Sequence, residues 1–382
     1  MRTASPTPRT LSGLLVPVAV VTGILLTVLA IPEPAPADAA ASTTVRPGQS
    51  IQAAIDRAGA GGTIQVKPGT YREQLVITKD RIRIEGDGAK LVAPLTLTPN
   101  ACTGVAHVGP PDPAGPPADA AICIIGDVDF GPFDMFLSHR PVTTTRRSVT
   151  GVTVSGLEIS GFAAGIVIAG GERTTIEETR IWGVDPYGIL AASSPRTMLR
   201  SNTITNPSGV VAGIAACAEN SPGSSFVENA TSGFVVGLCI SSSQISVRSN
   251  RVRGNHFGIY TDPGQRDIVI RDNAVTDNTR VDGFPLPTGI GIIVDGSNQV
   301  TISNNRITGN VGDNQQMGMG AGGIVVIDNA QFSKPATDIT IRNNTFERNG
   351  DGTTSADLWF ENAAANSLKG NKCKTSRPVG LC

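Results

Sequence analysis

The chain has 382 residues, with 31 Lys and Arg against 32 Asp and Glu and a formal net charge of -1. That balance excludes a nucleic-acid or anionic-membrane partner held by bulk charge. Aromatic residues make up only 4% of the chain, so a core must be built from stacked Val, Ile, Leu and Ala.

Residues 1–39 differ in kind from the rest. Arg2 and Arg9 precede an uncharged run from Leu11 to Ile31, followed by Pro32, Pro34 and Pro36 and the triplet Ala37, Asp38 and Ala39. This is the order of a secretory signal cut near Ala39. The run is also long enough, at about 20 residues, to span a bilayer, so an uncleaved N-terminal membrane anchor is the competing reading. All six cysteines (Cys102, Cys123, Cys217, Cys239, Cys373 and Cys382) follow this segment. Their even number suits an oxidising exterior, and the expected localisation is extracellular.

Residues 40–97 read as an N-terminal cap and first coils. Ser50 can cap a short helix whose apolar positions Ile51, Ala54, Ile55 and Ala58 share one face, and Gly59 ends it. Strands are expected at 63–66, 75–77 and 81–84. Residues 98–147 break the pattern with Pro99, Pro110, Pro111, Pro113, Pro116 and Pro117 and with Phe130, Phe133 and Phe136. Pieces such as 121–125 can be strands; the rest reads as loop.

From 148 to 366 a phrase repeats: a β-branched strand, a polar corner, an apolar residue, a second corner, then Gly-Ile. Val247, Asn250, Val252, Asn255, Gly258 and Ile259 show it cleanly. Gly156, Thr179, Asn202, Asn229, Asn250, Asn273, Asn305 and Asn344 hold the first corner, about 21 to 27 residues apart until two later coils lengthen. Such a period marks a solenoid. Three short strands per unit cannot bury their apolar faces alone, but can when stacked about 4.8 Å apart, which predicts an all-β parallel β-helix.

Several patterns ride on this period. Arg200, Arg248, Arg271 and Arg342 each stand two positions before a first-corner Asn, facing outward; such a face could grip a polyanion, or be ordinary solvated surface. Asp262 and Asp295 lie four positions after the Gly of the Gly-Ile phrase and Asp328 five after Gly323. Stacked, these three form a candidate hard-cation column, with Ca²⁺ the expected ion; turn-forming aspartates are the alternative. Extra residues at 279–288, 311–322 and 350–356 fall at one corner and are expected to raise a wall beside a groove. Residues 367–382 form a tail that a Cys373–Cys382 bridge would lock, with Cys102–Cys123 the next pair. Counting from Gly213 and Gly237 places Cys217 and Cys239 two residues out of register, so a bridge there needs a bulge.

The segments from Ser50 to Ala58, Gly62 to Glu73 and Ile82 to Gly86 resemble the N-terminal entry of the right-handed β-helix, pectin-lyase-like superfamily. The later Asn and Gly-Ile phrases resemble its repeats, and the ending with Asn371, Cys373, Gly380 and Cys382 is similar to secreted bacterial members. The resemblance covers nearly all of the chain after the leader. It implies a single right-handed solenoid with a helical cap and is specific for fold rather than activity, because the superfamily spans lyases, hydrolases, uronate epimerases and proteins with no known chemistry.

Two constellations could carry chemistry. Trp182, Gly183, Val184, Asp185, Pro186 and Tyr187 resemble the Tyr-Gly-apolar-Asp-Pro-His phrase of alginate C5-epimerases, with Trp182 for the tyrosine and Tyr187 for the histidine, which makes Asp185 and Tyr187 candidates. His256, Tyr260 and Asp262 offer base, acid and orienter on one coil, with Arg280 or Arg253 as a lyase-type base. Met317 and Met319 could bind copper(I), but no cluster supports them. The expected function is binding, and lyase or C5-epimerase processing, of an extended acidic polysaccharide; the alternative is a non-catalytic cell-surface or matrix module.

Overall fold

A computed structural model describes residues 42–106, 119–135, 137–207, 212–279, 289–314, 319–361 and 366–382. The chain divides into two units, Met1–Ala39 and Ala40–Cys382. The leader and the extensions at 280–288 and 315–318, Arg280 and Met317 included, lie outside the described residues. No described helix is long and apolar enough to cross a membrane.

The second unit is a parallel β-helix of coils stacked in register. Its inward residues form continuous columns. One runs Ile176, Leu199, Phe226, Val247, Ile270, Ile302 and Ile341, each opposite the next. A second, on an eleven-stranded sheet, runs Ile189, Ala216, Leu238, Ile259, Ile292, Ile324 and Leu358. These side chains are 0–2% exposed, Leu199 being the most exposed of the two columns, so every coil buries its neighbour's apolar edge as well as its own. Above the first coil the helix Ile51–Arg57 buries Ile51, Ala54 and Ile55. Ser50 Oγ accepts the Ala53 N–H at 3.0 Å, and the Glu73 carboxylate takes those of Ile51 and Gln52 at 2.6 and 3.1 Å. The free N–H groups of the helix start are thereby satisfied.

The first-corner asparagines form a buried hydrogen-bonded ladder. The side-chain oxygens of Asn229, Asn250, Asn273, Asn305 and Asn344 each accept both the main-chain and the amide N–H of the Asn one coil earlier. The residue before each, such as Ser249, Asp272, Asn304 or Asn343, has a φ of 56° to 59°. The left-handed turn is unfavourable for a residue with a Cβ, and the ladder bonds hold it. A second ladder joins Asn255, Asn278, Asn310 and Asn349 and ends on Asp357.

Two expectations are corrected. The 98–147 segment is not loop alone: besides the coil strand Ala120–Ile125 it holds an antiparallel pair, Asp127–Phe130 with Val142–Arg147. Cys102, Val105 and Ala106 from this segment pack over Cys123, Val167 and Leu190, so it roofs the outer face of the eleven-stranded sheet. Cys217 and Cys239 are directly opposite each other, with Cα atoms 4.5 Å apart in a disulfide. The glycine position of that coil belongs to Ala215, since Tyr187 pairs with Ile214 and Ile189 with Ala216; Gly213 imitated the phrase two residues early. Cys102–Cys123 and Cys373–Cys382 are also bridged.

Candidate functional site

The outer face of the eleven-stranded sheet gathers several of the candidate residues. Alternation turns Cys217, Cys239, Tyr260 and Ile293 outward in one column. Two residues further along each strand lies a second column. Glu219 pairs with Ser241, and Asp262 and Asp295 follow at the same level on the next two coils. Asp295 pairs with Ile327, so the column ends there. Asp328, one residue on, turns away and accepts the Ala336 N–H at 2.7 Å. The expected aspartate triad is therefore a pair, and no group of three or more His, Cys, Asp or Glu among the described residues could hold a metal ion.

A groove of about 980 Å³ opens over these columns. Its described walls are the segment around Asp134 to His139, from the roofing insertion, and the segment around Asn329 to Lys334. The apolar floor includes the Cys217–Cys239 bridge, Val236, Phe257 and Ile293, and Asp262 and Asp295 stand along one side of it.

Hydrogen bonds differentiate the two aspartates. Asp295 is 5% exposed and accepts the Tyr260 hydroxyl at 2.6 Å and the Asn329 amide at 2.9 and 3.1 Å. Burial pushes its pKa up, and the Tyr260 and Asn329 hydrogen bonds pull against that rise by stabilising the carboxylate. Asp262 accepts from Ser241 Oγ. Its pKa is pushed up to about 7, by burial first, with the charges of Asp295 and Glu219 adding to the rise and Ser241 and His139 opposing it. Burial and the two carboxylates hold the Tyr260 phenol well above its ordinary range. One carboxyl thus carries a proton near neutrality while its neighbour on the next coil, about 4.8 Å along the stack, is held by donors. Unlike environments on paired carboxyls divide acid from base roles.

Beneath the insertion lies a group that sequence reasoning missed. His139, 1% exposed, places Nδ1 2.8 Å from Leu137 O. A carbonyl only accepts, so that nitrogen carries the proton and Nε2 faces Glu219 Oε2 at 3.7 Å. Tyr187, fully buried, donates to the same carbonyl at 2.6 Å, with its ring edge-on to the imidazole. Asp185 also borders the groove, its Oδ1 accepting the Gly213 N–H at 3.1 Å. Five of the candidate residues, Asp185, Tyr187, Tyr260, Asp262 and Asp295, therefore meet at one groove. His256 does not: it is buried at the corner before Phe257, off the groove lining, and burial lowers its pKa.

A family model described as a right-handed β-helix region matches residues 143–284. No curated protein sequence matches the chain. Among solved structures, the A-module of the mannuronan C-5 epimerase AlgE6 of Azotobacter vinelandii is 14% identical, with 85% of this chain and 92% of that one covered at a TM-score of 0.53. The alginate lyase of Paenibacillus sp. str. FPU-7 is 12% identical over 87% and 99% of the two chains, at 0.54. The DFA-IIIase of Arthrobacter chlorophenolicus A6 is 13% identical over 82% and 88%, at 0.52. At such identities the likeness concerns the fold. The chain is a right-handed parallel β-helix protein.

Proposed function

We propose that this chain is a secreted protein that binds an extended polysaccharide in the groove and cleaves its glycosidic bonds by acid–base chemistry. Asp262 donates the proton to the leaving oxygen while Asp295, oriented by Tyr260 and Asn329, attacks the anomeric carbon to form a glycosyl-enzyme. Water deprotonated by the now ionised Asp262 then hydrolyses that intermediate, restoring both carboxyls. The observation that carries this reading is the adjacent carboxyl pair in unlike environments along an open groove. Neighbouring coils lie about 4.8 Å apart, close to the roughly 5–5.5 Å separation of retaining glycosidase carboxyls. The similar folds include an epimerase of mannuronan and a lyase of alginate, which supports a polysaccharide as the ligand class. Three disulfides are compatible with an oxidising compartment.

A second reading, lyase or C5-epimerase action on an acidic polymer, is favoured by the position of Asp185 and Tyr187 at the same groove. Asp262 and Asp295 would then share Ca²⁺ with the polymer carboxylate, the remaining oxygens of its six- to eightfold shell coming from polymer and water.

One panel tests both. Neutral and acidic polysaccharides are incubated with the protein, with Ca²⁺ or chelator, and assayed for reducing ends, for ultraviolet absorbance of a C4–C5 double bond, and for deuterium uptake at C5. New reducing ends without a double bond, lost by about a hundredfold or more in Asp262→Asn and Asp295→Asn, support hydrolysis. A calcium-dependent double bond or deuterium uptake supports the second reading. Binding with no product of any kind overturns catalysis on these polymers and leaves the adhesive module. N-terminal sequencing of the extracellular fraction tests release near Ala40.

A further inference from the structure

The arginine pattern that the sequence left divided between polyanion grip and solvated surface becomes a single column in the twenty-stranded sheet. Arg200, Arg248, Arg271, Arg342 and Lys369 stand in one vertical column, with Val227 and Ser303 filling the two remaining levels. From Arg200 to Lys369 the column contains no carboxylate. The neighbouring outward column on the same strands, Met198, Ser225, Ser246, Val269, Thr301, Thr340 and Ser367, carries no charge at all and is mostly hydroxyl. Arg200, Arg271, Arg342 and Lys369 are exposed and Arg248 partly so.

Ordinary surface arginines are offset by partners, and two of these are: Arg200 lies 3.8 Å from Glu228, and Arg271 pairs with Asp272. Among the described residues no ion pair reaches Arg248, Arg342 or Lys369. The six steps from Arg200 to Lys369 span about 29 Å at about 4.8 Å per coil. Arg248–Arg271 and Arg342–Lys369 stand one coil apart, inside the Debye length of about 8 Å at physiological salt, while Arg200–Arg248 and Arg271–Arg342 stand two coils apart, about 9.6 Å and just beyond it. The potentials therefore add most strongly within the two one-coil pairs and more weakly across the Val227 and Ser303 levels. The molecule as a whole is nearly neutral, at -1, so this stripe is a local feature and not an effect of bulk charge.

We propose that this face binds a linear acidic polysaccharide laid along the solenoid axis, its carboxylates engaging the cation column and its hydroxyls the Ser/Thr column beside it. The occupant follows from charge complementarity and from the linear arrangement: a chain with an anion on each unit can engage cations set one or two coils apart along one line, and a compact anion cannot. The surface is separate from the carboxylate groove, which lies on the eleven-stranded sheet, and the proposal does not depend on what the groove does. It gives the protein a means of holding an acidic matrix while the groove works.

The test measures binding of the full-length secreted chain to polygalacturonate at low and high salt, with dextran as the uncharged polymer and duplex DNA as the competing polyanion. Wild type should bind polygalacturonate at low salt, release it as salt rises, and ignore dextran. Arg248→Ser with Arg342→Ser should weaken binding about tenfold, while Arg248→Lys with Arg342→Lys should retain it. Arg46→Ser with Arg57→Ser removes the same charge from exposed positions near the cap and should leave binding unchanged. Equal loss in both serine pairs would reduce the effect to net charge and overturn the proposal. So would failure of wild type to bind, equal binding of dextran, or tighter binding of DNA. Each variant is checked by its melting curve, and the groove assays are run on the column variants, which should turn over soluble substrate like wild type.

Discussion

Asn250 Oδ1 accepts two hydrogen bonds from Asn229, from its main-chain nitrogen at 2.9 Å and from its side-chain amide at 3.0 Å. Asn250 in turn donates both of its own equivalents to Asn273. Replacing Asn250 by Ala strands two buried donors on Asn229 and removes a tie across three coils. Leaving a buried donor unsatisfied costs about 1–3 kcal/mol, so the variant should lose about 3 kcal/mol, read as a lower denaturant midpoint. An unchanged midpoint would show that the ladder is decorative.

Asp262 links stability to pH. Its folded pKa of about 7 lies above the unfolded value of about 3.9, so the folded state holds the proton more tightly. The stabilisation is complete below about pH 4 and is lost as pH rises through about 7. The melting temperature should fall between pH 5 and pH 8, and Asp262→Asn should flatten that fall. Parallel curves for wild type and variant would refute the assignment.

The cysteine pairing is directly countable. Alkylation of the unfolded but unreduced protein should add no label, since no cysteine is free. Cys217→Ser with Cys239→Ser should keep two bridges and lose about 3 kcal/mol, the scale for a loop of some twenty residues.

Tyr260→Phe should act through Asp295. Removing the 2.6 Å donor takes away a hydrogen bond that lowers the Asp295 pKa. In whichever glycan assay shows turnover, the acidic limb of the pH–rate profile should therefore move upward. A fall in rate with no shift of that limb would assign Tyr260 to packing.

The coils were legible because each corner must bond to its copies above and below, so Asn recurs at a fixed phase with the apolar columns. The same logic placed Tyr260, Asp262 and Asp295 on one face. It failed where a local feature imitates or breaks the phase. Gly213 precedes an Ile and mimics the repeat, hiding the Cys217–Cys239 register. Asp328 stands five residues after Gly323 instead of four, one past Ile327, which holds the level of Asp295, so it leaves the column. His139 sits in a proline-rich insertion with no phase, and Glu219 ends an alanine-rich strand whose start that false phrase obscured. Only the fold over of the insertion brings His139 to Glu219.

In both ladders the Asn-to-Asn bonds run in one direction, toward the C-terminal coil, while the amide's other hydrogen goes to a carbonyl of the coil before. An asparagine in the middle presents an acceptor behind and a donor ahead, so its upper and lower faces match those of its own duplicate. A coil copied in mid-stack would meet complementary faces on both sides. Asp357 is different: it accepts from Asn349 and from the Lys374 and Thr375 N–H groups and has no amide to pass onward. Its carboxylate is a full stop for that ladder, whereas the first ladder passes from Asn344 to Asn371, which keeps an amide; growth by gene duplication is open in the interior and blocked where Asp357 stands.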